Sequence, residues 1–204
     1  IASDVVRLAW GGDVAGAVPG YTAFDGWMEL MKLETVLESA AAAAPAAPTA
    51  AEAILLIRQV YDGAPAALQQ VASADKKMFV TPKIFNAYLA SLEGTSADLA
   101  LVNQVDGMRR VAFRGVEVVA MYEWATIVAD TNPDVFQSAV GANLTEGICY
   151  CAVENLIIGS DVTDPEGSFK VFYDDLEEKM FFRGYFKLGV QYLYSSLVQW
   201  GLLV

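Results

Sequence analysis

The most informative absence in this sequence is that of histidine. No histidine occurs among the 204 residues, which removes the pairing of serine or cysteine with histidine that drives many acyl-transfer reactions. Histidine is also the commonest protein ligand of metals, so the usual zinc and iron sites are not expected. Gly11-Gly12 is too short for a phosphate-cradling glycine loop. The sequence therefore argues against most hydrolases, phosphoryl-transfer enzymes and oxidoreductases.

Basic residues and cysteines are also scarce. Only 13 lysines and arginines stand against 25 aspartates and glutamates, which gives a formal net charge of −12. Such a chain does not attract phosphate backbones, and specific nucleic-acid binding is not expected. Cys149 and Cys151 would point to the same side of a strand. We interpret them as small core residues, because a metal site would need further ligands and no disulfide framework is indicated.

Long apolar runs are missing, although the composition is apolar. No uninterrupted run of about 18 apolar residues occurs, so a membrane-spanning helix is not expected. Hydrophobic residues still make up 55% of the chain, which predicts either a large core or apolar surface that other subunits cover. The length suits one large domain or two small lobes. The first residue is Ile1 and no leader pattern follows, which we interpret as the start of a processed or truncated product.

The first half of the sequence is predicted to be mainly helical. Asp4–Trp10 has the pattern of a short strand, and the glycines from Gly11 to Gly20 predict a loop. Lys76–Thr81 is also predicted to be a strand. The prolines in the Ala/Pro stretch from Ala40 to Pro48 interrupt any helix there. Helices are predicted over Phe24–Ser39, after the capping box of Thr49 and Glu52 as far as Gly63, after Pro65, and from Pro82 to Gly94.

The second half is predicted to be mainly extended. A polar loop is expected over Gly94–Gly107, and Tyr122–Ala129 is ambiguous between helix and strand. The aromatic segment from Phe181 to Tyr194 is predicted to be a long strand broken at Gly189. The predicted strands are Val111–Phe113, Val116–Met121, Ile148–Val153, Leu156–Ile158, Phe169–Tyr173, Met180–Leu188 and Tyr192–Val198.

Two acidic clusters are the remaining candidates for chemistry. The first consists of Asp161, Asp164 and Glu166. We interpret it as a turn, with a cation site as the alternative, because its spacing does not match the twelve-residue calcium loop. The second consists of Asp174, Asp175, Glu177 and Glu178. We interpret it as a solvated hairpin tip, since paired catalytic carboxylates would face one pocket from distant segments.

Aromatic residues concentrate near the end of the chain, with Arg183 and Lys187 among them. Platforms for single-stranded nucleic acid mix aromatic and basic residues in this way, but the overall charge opposes that function. Half-buried antiparallel strands carry the same residue types. We interpret the group as sheet core and subunit contact. It comprises Phe169, Phe172, Tyr173, Phe181, Phe182, Tyr185, Phe186, Tyr192, Tyr194 and Trp200.

An ordered set of short motifs runs through nearly the whole chain. The motifs are Arg7 to Asp13, Phe24-Asp25-Gly26-Trp27, Met78 to Leu89, Phe113 to Val119, Asn155 to Asp161, and Phe186 to Tyr192. In this order they resemble the major capsid proteins of tailed bacteriophages, which have the Hong Kong 97-type capsid fold. The resemblance marks nine motif positions as structurally important: Asp25, Gly26, Gly115, Asn155, Gly159, Asp161, Phe186, Gly189 and Tyr192.

The resemblance implies an α+β capsid subunit with an axial α/β lobe and a peripheral lobe that contains a long antiparallel sheet. The axial lobe is expected mainly in residues 25–145, and the peripheral lobe mainly in 1–24 and 146–204. The family's N-terminal arm, extended hairpin loop and spine helix have no counterpart here, so the chain is expected to begin after them. We expect the contacts with neighbours to lie partly on loops, with Gly11–Phe24, Ala40–Thr49 and Gly94–Gly107 as candidates.

The same resemblance implies a structural role. It predicts self-assembly, in the cytoplasm of the bacterial host, into hexamers and pentamers of an icosahedral shell that encloses phage DNA in the virion. The expected partners are copies of the same chain, with scaffold, portal and decoration proteins as further candidates. No enzymatic activity, cofactor, metal or membrane partner is expected. Three alternatives stay open: an encapsulin-like nanocompartment shell, a soluble α/β enzyme that uses carboxylates, and a phage tail or adaptor protein.

Overall fold

A computed structural model describes eleven stretches of the chain. They are residues 2–32, 36–38, 48–92, 104–105, 108–109, 111–131, 136, 144–160, 169–174, 179–184 and 187–203. The helices within them are α1 (Ala2–Gly11), α2 (Trp27–Met31), α3 (Ala50–Asp62), α4 (Ala66–Gln70), α5 (Pro82–Leu92) and α6 (Tyr122–Thr126). A π-helix over Ile127–Thr131 continues α6. Single turns of 3-10 helix occur at Ser73–Asp75, Val153–Asn155 and Ser195–Leu197.

Twelve strands complete the described structure, and six of them form one mixed sheet. The strands are β1 (Val36–Glu38), β2 (Lys76–Val80), β3 (Gln104–Val105), β4 (Met108–Arg109), β5 (Val111–Phe113), β6 (Val116–Ala120), β7 (Gly147–Ala152), β8 (Leu156–Ser160), β9 (Phe169–Asp174), β10 (Lys179–Gly184), β11 (Leu188–Tyr192) and β12 (Val198–Leu202). The order in the large sheet is β1-β12-β7-β2-β6-β5. β1 runs parallel to β12 and β2 parallel to β6, while the other neighbouring pairs are antiparallel.

The large sheet is covered on both faces. All six residues of β7 are buried, as expected for a central strand with helices on either side. Ile148 and Tyr150 pack into one core with residues of α3 and α5. Cys149 and Cys151 point the opposite way, into a second core with residues of α1, α2 and α6. The alternation along one strand thus separates two hydrophobic cores.

The second core contains every tryptophan of the chain. Trp10 contacts both Trp27 and Trp124, with ring centroids 5.0 and 5.1 Å apart. Trp124 also lies 5.8 Å from Trp200 on β12. The two contacts of Trp10 are edge-to-face, an arrangement that adds to the hydrophobic gain of burying such large rings. The cluster therefore joins α1, α2 and α6 to the sheet.

Local sequence signals explain several element boundaries. The Thr49 hydroxyl accepts a hydrogen bond from the Glu52 N–H, and the Glu52 carboxylate accepts one from the Thr49 N–H, as the predicted capping box requires. The helix ends at Gly63, and Pro65 precedes α4. The predicted strand β2, the helix after Pro82 and the strands β5 and β6 are present as well.

The structure corrects two predictions in the first part of the chain. Asp4–Trp10 is helical, not extended, because it belongs to α1. Ala9 and Trp10 are buried in the second core, so tertiary packing overrides the strand propensity of the valines. The helix predicted over Phe24–Ser39 is limited to α2, and Val36–Glu38 pairs with β12 instead.

Other differences lie further along the chain. Part of the loop predicted over Gly94–Gly107 forms a small hairpin, in which β3 pairs with β4. The ambiguous segment Tyr122–Ala129 is helical. The long strand predicted from Phe181 to Tyr194 is wrong, because β10 ends at Gly184 and β11 begins at Leu188. Gly189 therefore lies inside a strand and does not break one.

Candidate assembly surface

Four strands of the C-terminal region lie outside the large sheet. β8 pairs with β11 in one two-stranded unit, here called the ribbon, and β9 pairs with β10 in a second, here called the hairpin. Isolated two-stranded units are marginally stable in water and usually need a covering surface. Among the described residues, these two units are the strongest candidates for contact with another protein.

Asn155 fixes the base of the ribbon. Its side chain is buried, with 1% of its surface exposed. The amide nitrogen donates to the Tyr194 carbonyl at 3.0 Å, and the amide oxygen accepts from the N–H groups of Leu193 and Tyr194 at 3.2 and 2.8 Å. The Leu193 N–H also donates to the Asn155 carbonyl. One side chain therefore joins the start of β8 to the segment that follows β11.

The ribbon is attached to the body through the second core. Leu156 and Tyr192 are opposite each other across the two strands, and Val190 is the next residue on the same side. All three are partly buried against the second core. The Trp27 indole N–H donates to the Gln191 carbonyl at 3.1 Å, which links the ribbon to α2.

The far end of the ribbon exposes apolar and glycine residues. Ile158 is 54% exposed and Ile157 39%. Gly159 and Gly189 face each other across the ribbon, and added Cβ atoms would meet nothing closer than 3.9 Å. Paired glycines leave a notch that another backbone can approach closely. The ribbon therefore offers a surface that the backbone of a partner can contact closely, because the two glycines have no side chains to keep it away.

The hairpin exposes a second apolar surface. Tyr173 and Met180 are directly opposite each other in the register, and Val171 follows on the same face two positions away. Their side chains are 57%, 59% and 51% exposed. Cross-strand neighbours on one face make continuous contact. These three residues, here called the hairpin patch, form an apolar surface that water covers in the single chain.

Asp25 and Gly26 close the loop between α1 and α2. The Asp25 carboxylate accepts a hydrogen bond from the Val14 N–H at 2.9 Å, and the Gly26 N–H donates to the Gly12 carbonyl at 2.8 Å. A Cβ atom on Gly26 would lie 2.5 Å from the Trp10 carbonyl oxygen. Both residues therefore shape a compact loop, and the requirement for glycine at this position is steric.

The remaining motif positions do not lie in the ribbon or in the loop between α1 and α2. Gly115 forms the turn between β5 and β6, far along the chain from the ribbon. Asp161 and Phe186 lie outside the described residues, as do most residues of the two acidic clusters. The structure thus brings Asn155, Gly159, Gly189 and Tyr192 together in the ribbon and leaves Asp25, Gly26 and Gly115 in other loops.

The described residues offer little that resembles a reaction centre. No group of three or more cysteine, aspartate or glutamate side chains among them could hold a metal ion. Cys149 and Cys151 are both free and buried, as predicted. Burial raises the pKa of the Cys149 thiol, and its hydrogen bond with Cys151 acts in the same direction. Protonated thiols are poor nucleophiles, so this pair suits the core better than catalysis.

A membrane anchor is likewise not found among the described helices, since none of them combines the length and apolar character needed to span a bilayer.

The aromatic segment is predicted from the sequence to be sheet core and subunit contact, and Tyr173 and Tyr194 belong to its exposed part. The notch and the hairpin patch depend on strand register, which the sequence alone does not determine. The sequence does carry one signal for the patch. Val171 and Tyr173 are two positions apart in a predicted strand, so their side chains are expected on the same face.

Comparison with solved structures connects this fold with bacteriophages. A chain of a structure of Mycobacterium phage Che8 matches 84% of this chain and 54% of its own length, with 12% identity and a TM-score of 0.51. A chain of the asymmetric unit of the bacteriophage PhiM1 mature capsid matches 99% of this chain and 60% of its own length, with 16% identity and a TM-score of 0.52. The fold is one found in a phage capsid. This chain spans less than two thirds of the length of either match, and no protein-family model or curated protein matches its sequence.

Proposed function

We propose that this chain is a structural capsid subunit of a bacteriophage, of the Hong Kong 97 type. On this proposal, copies of it assemble into hexamers and pentamers of an icosahedral shell that encloses DNA. The observation that carries the proposal is the likeness in fold to a chain of the PhiM1 mature capsid over 99% of the present chain. The motif order in the sequence supports it independently.

The exposed surfaces suit repeated contact between copies. The ribbon and the hairpin patch each expose apolar side chains. These side chains are additional to the two hydrophobic cores that the chain buries by itself. Closed assemblies use the same surface patches in every subunit. A contact that stabilises one pair only modestly can therefore stabilise the whole assembly, because it recurs in every copy. The net charge of −12 also suits a shell around DNA, because an acidic wall does not hold the genome.

The division into lobes is part of the proposal. The proposed axial lobe lies mainly in residues 25–145 and the proposed peripheral lobe mainly in 1–24 and 146–204, with β7 and β12 of the second range sharing the large sheet with β2, β5 and β6 of the first. The ribbon and the hairpin would belong to the second lobe. Gly11–Phe24 remains a candidate contact segment, and the other two candidates, Ala40–Thr49 and Gly94–Gly107, lie largely outside the described residues.

Electron microscopy of the purified chain tests the proposal. We expect closed particles of uniform diameter, and analytical ultracentrifugation should show a single large species in equilibrium with small ones. A chain that stays monomeric at every concentration and salt condition would contradict the proposal, and rings or tubes would favour a tail or adaptor protein. The contents of particles from a native host separate the two shell functions, because DNA supports the capsid and protein cargo supports a nanocompartment.

A substitution in the first candidate loop gives a sharper test of the contacts. Val14 is 56% exposed, and Val14→Asp would place a charge in the loop without disturbing either core. We expect fewer particles and an unchanged thermal unfolding midpoint. Asp75→Asn, on the exposed 3-10 turn before β2, serves as the control and should assemble normally.

A further inference from the structure

The ribbon has free edges that a further strand could join. Among the described strands, β8 pairs only with β11, and no third strand joins this pair. Residues Ile157 to Ser160 of β8 are exposed, whereas Leu188, Gly189 and Val190 of β11 are only partly exposed. The free edge of β8 is therefore the more accessible of the two.

The register of the ribbon shows which backbone groups face that edge. The Leu193 N–H donates to the Asn155 carbonyl at 3.1 Å, and the register continued by one position places these two residues opposite each other. Hydrogen-bonded and non-hydrogen-bonded pairs alternate along an antiparallel ladder. Ile158, opposite Val190, therefore belongs to a non-hydrogen-bonded pair. Its N–H and C=O groups point away from β11 and toward the free edge.

Strand β8 lacks the features that usually protect an edge strand. Charged side chains and prolines block unwanted pairing at sheet edges, and the sequence Leu-Ile-Ile-Gly-Ser of β8 contains neither. The hairpin differs, because β9 includes Lys170 and Asp174 and β10 includes Lys179 and Arg183. On a chain of net charge −12, an uncharged edge is a place where two copies can meet without direct repulsion between side chains.

The sequence of β8 is complementary to an antiparallel copy of itself. We propose that β8 of one copy of this chain pairs with β8 of a second copy about a two-fold axis at Ile158, which rests on the proposed function as a self-assembling subunit. The N–H and C=O groups of Ile158 then bond to the same groups of the partner. In this register Ile157 of each copy lies opposite the partner's Gly159.

This register gives the glycine notch a role. Ile157 and Gly159 lie on one face of β8, and Ile158 lies on the other. The Ile157 side chain would cross the partner's Gly159 beside its Gly189, where an added Cβ atom meets nothing closer than 3.9 Å. On the opposite face the two Ile158 side chains, each 54% exposed, would cover one another. The joined sheet would thus bury apolar side chains on both faces.

The match within one strand favours a second copy over a strand of another protein. A two-fold contact uses the same patch on both subunits, so the patch must fit itself. Ile157 and Gly159 meet this condition because each is opposite the other in the proposed register. Stable specific interfaces bury about 1,200–2,000 Å², which five residues from each copy do not reach. The pairing therefore suits a contact that recurs throughout an assembly.

Cross-linking of a single variant tests the pairing directly. The Cα atoms of the two Ile158 residues would lie about 5.5 Å apart, within the range that a disulfide spans. With oxidised glutathione, we expect Ile158→Cys to form disulfide dimers at least about tenfold faster than Leu193→Cys, because pairing raises the effective concentration. Leu193 is the matched control, since it is 53% exposed, and the native buried cysteines are present in both variants. Equal rates would overturn the proposal, including the case in which the edge takes a strand of another protein.

Two further variants test the register. Ile157→Cys alone should form dimers no faster than Leu193→Cys, because the two copies of residue 157 are not opposite each other. A mixture of Ile157→Cys and Gly159→Cys should form dimers faster than either variant alone. Gly159→Val should slow cross-linking through Ile158→Cys, because its side chain fills the space that Ile157 needs. Fast dimer formation by Ile157→Cys alone, or no gain in the mixture, would overturn this register.

A charge at the axis separates the pairing from the proposed function. Ile158→Lys brings two like charges together, so it should shift sedimentation toward monomers while leaving the thermal unfolding midpoint unchanged. If Ile158→Cys forms dimers no faster than its control and Ile158→Lys still forms closed particles, the capsid proposal stands and the pairing is wrong. If cross-linking is specific but only open oligomers form, the pairing stands and the closed shell does not. Absence of both specific cross-links and particles overturns both.

Discussion

Asn155 illustrates how one buried side chain can hold a surface element in place. Its amide satisfies two backbone N–H groups and one carbonyl in the segment after β11, all within hydrogen-bonding distance. No apolar residue could replace these bonds, because the backbone groups they satisfy are partly withdrawn from water. The start of β8 depends on this residue for its connection to the segment that follows β11.

Replacing Asn155 should therefore be costly. Asn155→Ala is expected to reduce the free energy of unfolding by about 2–3 kcal/mol, because it leaves buried donors and an acceptor without partners. Urea denaturation followed by circular dichroism measures the change. Glu154→Ala, at the exposed neighbouring position, is the control and should change stability little. Similar losses in both variants would contradict the role given to the amide.

The turn between β5 and β6 depends on backbone conformation at single residues. Phe113 pairs with Val116 in the register, so the loop has only two residues, Arg114 and Gly115. Their φ angles are +49° and +84°, as in the two-residue turn that best matches strand twist. The Arg114 guanidinium pairs with Asp62 at 2.6 Å and lies over the rings of Tyr61 and Phe113. Gly115 adopts its positive φ angle without steric strain, because glycine lacks a Cβ atom.

Substitution of Gly115 should reveal this requirement. Gly115→Ala is expected to destabilise the chain by about 1 kcal/mol, since a Cβ atom disfavours positive φ. Gly115→Asn should cost less, because asparagine tolerates that conformation. Gly189→Ala, where an added Cβ meets nothing, is the matched control. Chemical denaturation of the three variants ranks them, and a Gly189→Ala loss as large as that of Gly115→Ala would refute the argument.

Helix α3 shows how an element is defined by its own sequence. Its capping box closes the first turn, while Leu56, Ile57 and Val60 enter the first core. The C-terminal end of the neighbouring α4 is held differently, by the buried ammonium of Lys76, which donates to the carbonyls of Leu68 and Gln69. Burial lowers the pKa of Lys76. One helix is thus capped locally and the other by a residue from a strand.

The capping box predicts a pH dependence. Hydrogen bonds from the Thr49 backbone N–H and hydroxyl lower the pKa of Glu52 below its usual value of 4.5. A carboxyl group with a lower pKa in the folded state stabilises the fold above its unfolded-state pKa, and this contribution is lost as the pH falls through the folded-state pKa. The stability difference between the native chain and Glu52→Gln should therefore shrink below about pH 4.5.

Denaturation measured from pH 7 to pH 3 checks this expectation. Thr49→Ala should also lose about 1 kcal/mol at neutral pH, because it removes the N-cap hydroxyl. Thr49→Ser keeps the hydroxyl and is the control. A stability difference between the native chain and Glu52→Gln that stays constant over this pH range would exclude the carboxylate as its source.

At the scale of the whole molecule, charge opposes association while apolar surface favours it. Two copies carry −12 each and repel one another when salt is low. In the proposed assembly, the ribbon and the hairpin patch would have to overcome this repulsion by burying exposed side chains such as Ile158, Tyr173 and Met180. Assembly of this chain should therefore be governed by ionic strength.

Salt is expected to promote assembly. The Debye length falls from about 10 Å at 0.1 M salt to about 3 Å at 1 M, so repulsion between copies is screened while the apolar contact remains. The concentration at which particles or oligomers form should fall as sodium chloride rises, as light scattering can measure. Dissociation at high salt would show that ion pairs, not apolar contacts, hold the copies together.

Several elements could be predicted because their signals are local. The capping box at Thr49, the proline at the start of α5, the alternating residues of β2 and the continuous apolar run of β7 act over a few positions. The structure confirms the elements they predict. The position of Gly115 between two strands belongs to the same group. The burial of Cys149 and Cys151 also follows from strand periodicity in an apolar segment.

Features that depend on contacts between residues far apart in the chain were decided only by the tertiary structure. Asp4–Trp10 became helical because its apolar side packs into the tryptophan cluster with α2 and α6, and the sequence contains no local sign of that cluster. The register that pairs Gly159 with Gly189 and the contact of Trp27 with Gln191 each join residues far apart in the chain. Local propensity is set by neighbours along the chain, whereas register is set by which faces bury most apolar surface together.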